Sequence, residues 1–247
     1  MTYLDKMIHA ARKGVRGMLD AIYPATCLAC DARIEGERAL CGKCWGETPF
    51  VSGLACDKCG VPLPGDSEEG ELCDDCLTIA RPWNHGRAAL LYAGTARKMV
   101  LALKHADRTE LVPQMARWMA RAGQGVIAET DTVIPVPAHW TRAVSRRYDQ
   151  AVLLAVALAQ ITGQACKSDA LIRLRKTGSQ DGKTRDERFA NTEGAFRARY
   201  SLEGARVLLV DDVMTSGATF AAAADACFAA RAKDVSVLAL ARVAKDG

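Results

Sequence analysis

Val207-Leu208-Leu209-Val210-Asp211-Asp212-Val213-Met214-Thr215-Ser216-Gly217-Ala218-Thr219 reads as a strand, a turn and the start of a helix. The apolar run Val207 to Val210 makes a buried strand, two carboxylates sit at its end, and Thr-Ser-Gly-Ala-Thr leads into an alanine-rich helix beginning near Phe220. In an open parallel sheet, ligands bind in the crevice outside the carboxyl ends of the strands. A helix N-terminus offers unpaired N–H groups and the positive end of its dipole to a phosphate there. Gly217 lets the backbone approach closely, and Thr215, Ser216 and Thr219 on either side of Gly217-Ala218 add hydroxyl donors. Asp211 and Asp212 would repel that phosphate. They suit vicinal hydroxyls, as on a ribose, or a divalent cation, and a ribose 5-phosphate carries both kinds of group. A capped helix after a core strand accounts for Thr215 or Ser216 but not for two consecutive acids at the end of a buried strand.

Two other readings of acidic and glycine-rich segments fail on their neighbours. A receiver domain opens with an apolar strand and two acids but needs further strands bearing an acidic phosphoacceptor and a lysine, and thirty-five residues follow Asp212. Gly178-Ser179-Gln180-Asp181-Gly182-Lys183-Thr184 ends like a nucleotide-binding P-loop, but Thr177 stands where a glycine is required. The polar Arg185-Asp186-Glu187-Arg188 follows where an apolar helix should open. Outward from the acidic run, strands are expected over 88–92, 132–135, 171–174, 207–210 and 235–240, and helices over 94–104, 110–121 and 148–162. Strands alternating with helices predict an α/β fold with a doubly wound parallel sheet.

Eight of the ten cysteines lie between Cys27 and Cys76 as four Cys-x-x-Cys pairs: Cys27/Cys30, Cys41/Cys44, Cys56/Cys59 and Cys73/Cys76. This is zinc-knuckle spacing, in which each short loop supplies two thiolates to one tetrahedral metal. Gly42 and Gly60 flank cysteines where a tight knuckle turn needs a permissive backbone. Two structural Zn²⁺ sites of four cysteines are the simplest count, with sequential and interleaved pairing both open. Cys166 and Cys227 lie in apolar settings and read as packed thiols. No apolar run approaches the roughly 20 residues of a membrane span and residues 1–20 lack a signal-peptide core, so a cytoplasmic protein without a transmembrane segment is expected, where disulfides are disfavoured.

The 247 residues divide into an expected N-terminal helix (1–24), a zinc-binding domain (25–82) and an α/β domain (83–247). Residues 1–86 hold nine Lys plus Arg against thirteen Asp plus Glu, or −4, and residues 87–247 hold twenty-four against sixteen, or +8. These sum to the net +4. Each zinc held by four thiolates would add a further −2, so the positive field belongs to the α/β domain and suits a polyphosphate ligand. Pro135-Val136-Pro137-Ala138-His139 ends a core strand beside Arg142, Arg146 and Arg147, whose planar forks suit phosphate oxygens. Pro137 is a candidate for an unusual backbone there, including a cis bond. Lys104 and His105 after the first helix are similarly suggestive. The segment from Arg173 to Arg188, with Lys183, Arg185 and Arg188, has the size and charge of a flap that closes over a charged substrate.

The Asp211–Thr219 run resembles the ribose-phosphate signature of type I phosphoribosyltransferases. Together with the four cysteine pairs, Val133-Ile134-Pro135-Val136-Pro137, Arg146-Arg147-Tyr148-Asp149-Gln150-Ala151 and Asn191-Thr192-Glu193-Gly194-Ala195-Phe196, the chain resembles the ComF family of competence proteins over nearly its whole length. The resemblance implies a phosphoribosyltransferase-like sheet behind a double zinc ribbon and a role in DNA uptake. Its ligand would be 5-phosphoribosyl 1-diphosphate (PRPP) with Mg²⁺. Asp211 and Asp212 would hold the ribose, directly or through the metal, Thr215 to Thr219 the 5-phosphate, and Pro137, Arg142, Arg146 and Arg147 the diphosphate. Phosphoribosyl transfer and a non-catalytic role, as a ligand sensor or a handler of single-stranded DNA or a competence-machinery protein, both fit this signature. Few residues follow the last strand, so any cover over an acceptor is expected from the zinc-binding side, which should border the site.

Overall fold

The computed structural model describes residues 25–35, 39–65, 70–138, 148–175, 189, 192 and 194–244. The expected N-terminal helix lies outside them. The chain divides after Thr48 into two units. In the first, Cys41 caps helix α1 (Gly42–Gly46), its sulfur accepting the Cys44 N–H, and Thr26 pairs with Arg33 across a turn.

The second unit is built on five parallel strands in the order β1 (Gly86–Leu91), β7 (Asp234–Arg242), β6 (Arg206–Met214), β2 (Thr132–Pro135) and β3 (Ala165–Cys166). Val207 to Val210 and Val237 to Ala241 are completely buried, as continuous apolar runs must be when both faces of a parallel sheet are covered. After β1 come α3 (Gly94–His105), α4 (Val112–Ala122) and the short α5 (Gln124–Ala128). α6 (Gln150–Thr162) follows β2 and starts at Asp149, whose side chain accepts the Ala151 N–H. α4 and α6 pack on each other, α4 also against β1 and β7, and α6 against β2 and β6.

The opposite face explains where the chain divides. Among the described residues α7 (Ala218–Ala229) is the long helix on this face, its alanines allowing close approach to Val207, Leu209, Val235, Val237 and Ala239. One helix cannot cover five strands. The rest of the face is filled by Cys56, Cys59, Cys76 and Trp83, and by Leu171 and Phe196 of the antiparallel pair β4 (Leu171–Arg173) and β5 (Phe196–Ala198). The second cysteine segment, with helix α2 (Asp74–Thr78), is thus part of the sheet's own core, and the division falls at Thr48 rather than near Pro82.

Two further expectations need correction, and two short elements were not expected. The strand at Leu171 leaves the main sheet to pair with Phe196–Ala198. β3, two residues long, and the single-turn α5 carry no sequence period to betray them. β6 does not end at Val210 but runs through both acids to Met214, paired with β7 alone beyond Val210, because β2 stops at Pro135.

Candidate functional site

The cysteines form two sequential quartets, Cys27/Cys30/Cys41/Cys44 and Cys56/Cys59/Cys73/Cys76, the sulfurs within each lying within 4.8 Å of one another. The Cys30–Cys41 and Cys59–Cys73 sulfurs are 3.8 and 3.6 Å apart. A tetrahedral zinc with sulfurs at about 2.3 Å requires edges of about 3.8 Å, so the donor sets fit the metal. Hydrogen bonds from Cys59 and Cys76 hold the Cys56 thiol far below its ordinary range, while burial pushes Cys73 up to about 11. A quartet in which some thiols favour the thiolate and others keep their protons releases protons on taking up metal. Gly60 meets the expected need for a permissive backbone, with φ +68° and a β-carbon position 2.6 Å from the Ala88 nitrogen. Gly42 does not, having ordinary φ and open space around it.

The two acids stand where β6 outruns β2. Asp211 accepts the Asp212 N–H through Oδ1 at 2.8 Å, and Lys104, at the end of α3, reaches Asp212 Oδ2 at 2.9 Å. Burial, reinforced by the neighbouring Asp212, raises the Asp211 carboxyl well above its ordinary value. Lys104 pairs with Asp212 and offsets only part of the rise at Asp211, whose charged form a hydroxyl donor or a cation would favour. Tyr148 ties this corner together by donating to the Leu103 carbonyl at 3.0 Å. Asp149 joins it to the end of β2, since its Oδ2 accepts the Ala138 N–H at 2.9 Å while Oδ1 caps α6. Asp149 is therefore a positioning residue that sequence reasoning passed over, although its place just before an apolar helix is an N-cap signal. Pro137 lies half-buried in this segment, and no cis peptide bond occurs among the described residues.

The turn after β6 is gripped from behind. Gly217 has φ +83°, and a β-carbon on it would stand 2.7 Å from Arg81 Nη1 and 3.2 Å from the Trp83 ring. The close approach expected of this glycine is to the protein rather than toward the ligand side. Arg81, itself buried, donates to the Ser216 carbonyl at 2.6 Å; the neighbouring Cys56 and Cys59 and burial push the Cys76 thiol up, and Arg81 beside it offsets part of that rise. Arg242, buried at the end of β7, donates to the carbonyls of Met214 (3.3 Å), Thr215 (2.6 Å) and Val243, and its other amino group approaches the Cys59 sulfur at 3.9 Å. Trp83 exchanges hydrogen bonds with Lys58, inside the Cys56–Cys59 knuckle, and packs edge-on against Phe220. Thr192 adds a hydroxyl bond to the Ala218 carbonyl at 3.2 Å. The second cysteine quartet thus borders the turn.

Arg142, Arg146 and Arg147, with His139, and the flap residues Lys183, Arg185 and Arg188 lie outside the described residues. His105 is exposed at the end of α3 and Cys227 is packed in the core.

Residues 18–77 match the double zinc ribbon domain family. The DNA utilization protein YhgH of Salmonella typhimurium is 31% identical over 193 residues, covering 76% of this chain and 83% of its own. Competence protein ComFC of Bacillus subtilis is 23% identical over 235 residues, covering 87% and 93%. This chain belongs to the ComF family. The ComF chain also aligns with the purine phosphoribosyltransferase of Pyrococcus horikoshii Ot3 over 53% of its length and 73% of that enzyme's, at 19% identity and a TM-score of 0.35. Both quartets of this family member are zinc sites by spacing, geometry and the ribbon match. No helix among its described residues is long and apolar enough to cross a membrane.

Proposed function

We propose that the Asp211–Thr219 segment binds PRPP, as a phosphoribosyltransferase-type site in a DNA-handling protein. The observation that carries this reading is the sequence of environments along one loop. Two acids continue along β6 past the end of β2, Asp211 forms no ion pair among the described residues, and a left-handed glycine then opens α7. Asp211 would accept the ribose hydroxyls with Asp212 beside it, and Thr215, Ser216 and the first N–H groups of α7 would take the 5-phosphate. The Pro137 segment, held by Asp149, with Arg142, Arg146 and Arg147, would bind the diphosphate and stabilise its charge as a leaving group. Lys183, Arg185 and Arg188 belong to the proposed flap, which would exclude water. The paired acids suit Mg²⁺, which binds through one or two carboxylates plus substrate phosphates and, when bound, neutralises diphosphate charge.

Titration calorimetry of the zinc-loaded protein with PRPP and Mg²⁺ tests the reading. Binding should vanish in the Asp211→Asn/Asp212→Asn variant, and unchanged binding there would sink it. Diphosphate release with a nucleobase acceptor would mark a transferase, and binding without release a sensor.

A second reading concerns DNA, after the names of the relatives. Arg197, Arg199, Tyr200 and Arg231 line an open groove at the far end of α7 from the turn, and Lys167 lies over the exposed Tyr200 ring. Cations beside a stacking surface suit single-stranded nucleic acid. Oligonucleotide anisotropy over a salt series should lose slope in Arg197→Gln/Arg199→Gln, and a flat response in the parent protein would refute it.

A further inference from the structure

Arg81 and Arg242 are 9% and 5% exposed, and among the described residues neither has a carboxylate partner. Burying two cations requires compensating charge. The nearest source is the second cysteine quartet, where zinc at +2 with four thiolates at −4 carries −2 and the two guanidinium groups carry +2. Arg242 approaches the Cys59 sulfur at 3.9 Å, and Arg81 packs in the same core behind the turn, bonded to the Ser216 carbonyl.

The same two side chains hold three consecutive carbonyls of the phosphate turn, those of Met214, Thr215 and Ser216. In a trans peptide the C=O and the following N–H point in opposite directions. Clamping these carbonyls toward the quartet therefore turns the N–H groups of Thr215, Ser216 and Gly217 toward the other side of the loop, where α7 begins. None of those three N–H groups donates a hydrogen bond within the described residues. Gly217 completes the arrangement, because any larger residue would displace Arg81.

We propose that Arg81 and Arg242 are positioning residues that couple the second zinc site to the phosphate turn. They neutralise the zinc–thiolate charge and, with the same guanidinium groups, aim three backbone N–H groups at the ligand's 5-phosphate. The proposal rests on the reading of Thr215–Thr219 as a phosphate turn. Because coupling between two binding sites is reciprocal, zinc in the second quartet strengthens phosphate binding and the bound phosphate holds that zinc more firmly. The coupling is assigned to the second quartet, which shares its unit with the turn.

The full-length, zinc-loaded protein tests it with ribose 5-phosphate as the probe. Zinc release to a chromogenic chelator is followed with and without saturating probe, and probe affinity is measured by calorimetry. In the parent protein the probe should slow release of one of the two zinc ions by about tenfold and leave the other unchanged, within the usual range of coupling between sites. Arg81→Lys and Arg242→Lys keep the charge but not a planar fork that spans a sulfur and a carbonyl. Each should retain both zinc ions, weaken probe binding about tenfold and abolish the protective effect of the probe. If the parent protein binds the probe but its zinc release is indifferent to it, the coupling is wrong while the phosphate turn stands. If the parent protein does not bind the probe at all, both fall.

Discussion

The quartets Cys27/Cys30/Cys41/Cys44 and Cys56/Cys59/Cys73/Cys76 repeat one spacing in unlike surroundings. In the first, Cys30 is exposed, Cys41 is half-buried, and the quartet belongs to a unit that ends at Thr48. In the second, Cys56 and Cys59 are fully buried in the core that backs the parallel sheet. Its knuckle is fastened to β1 by Asp57, which pairs with Arg87 and His85 at 2.8 Å each. The same ligand set can therefore stabilise a local fold in one place and complete a distant sheet in another. What decides is which apolar surface the surrounding loops have to cover.

The largest test of that contrast is to remove one ligand from each quartet. A structural zinc is worth about 10–16 kcal/mol of apparent binding energy, comparable with or above the 5–15 kcal/mol stability of a whole domain. Cys59→Ser should therefore abolish cooperative unfolding of the parallel sheet. Cys30→Ser should lose one zinc equivalent and leave the sheet's thermal transition in place. Circular dichroism melts with metal analysis read both, and equal damage from the two variants would break the distinction.

A middle-sized effect separates the two knuckle glycines. Gly60→Ala forces a left-handed backbone and a β-carbon against β1, with a cost of about 1–3 kcal/mol. Gly42→Ala, in the first turn of α1 with open space around it, should be neutral or stabilising by up to about 1 kcal/mol. Denaturant titrations of both variants test this.

The smallest effect sharpens the functional side of the comparison. The Asp211 carboxyl is raised above its ordinary value of 3.8 by burial and by Asp212, with Lys104 opposing and Asp149 adding to the rise. A raised group contributes stability that is complete below its unfolded value and lost as pH climbs through its folded value. Asp211→Asn removes that loss. Its Tm should match the parent's in strong acid, exceed it by a few degrees at neutral pH, and be accompanied by failure to bind PRPP. A lower Tm at neutral pH would mean that the carboxylate has a stabilising partner.

Much of this was legible in residues 207–219. The apolar run identified a strand buried on both faces, and the left-handed Gly217 and the helix behind it were signalled by turn chemistry. Lys104 was suggested by its place at a helix end, but its pairing with Asp212 depends on how α3 returns to the sheet. Asp149 was overlooked because an N-cap is a local signal, whereas its second bond, to Ala138, is a tertiary one. Arg81 and Arg242 carried no signal at all. Neither was singled out, since burial of a cation can be inferred only when its counter-charge is in view.

The sequence alone determined the zinc ligands, the alternation of strands and helices, and the acidic run followed by a helix, because spacing and period are properties of neighbouring residues. Only the tertiary structure decided which cysteines share a metal, that Leu171–Arg173 leaves the main sheet, and that the second quartet closes the core beneath the turn after β6. Those outcomes depend on contacts between residues far apart in the chain, such as Arg242 with Cys59, and on the need to bury both faces of a parallel sheet that has one long helix on one of them among the described residues.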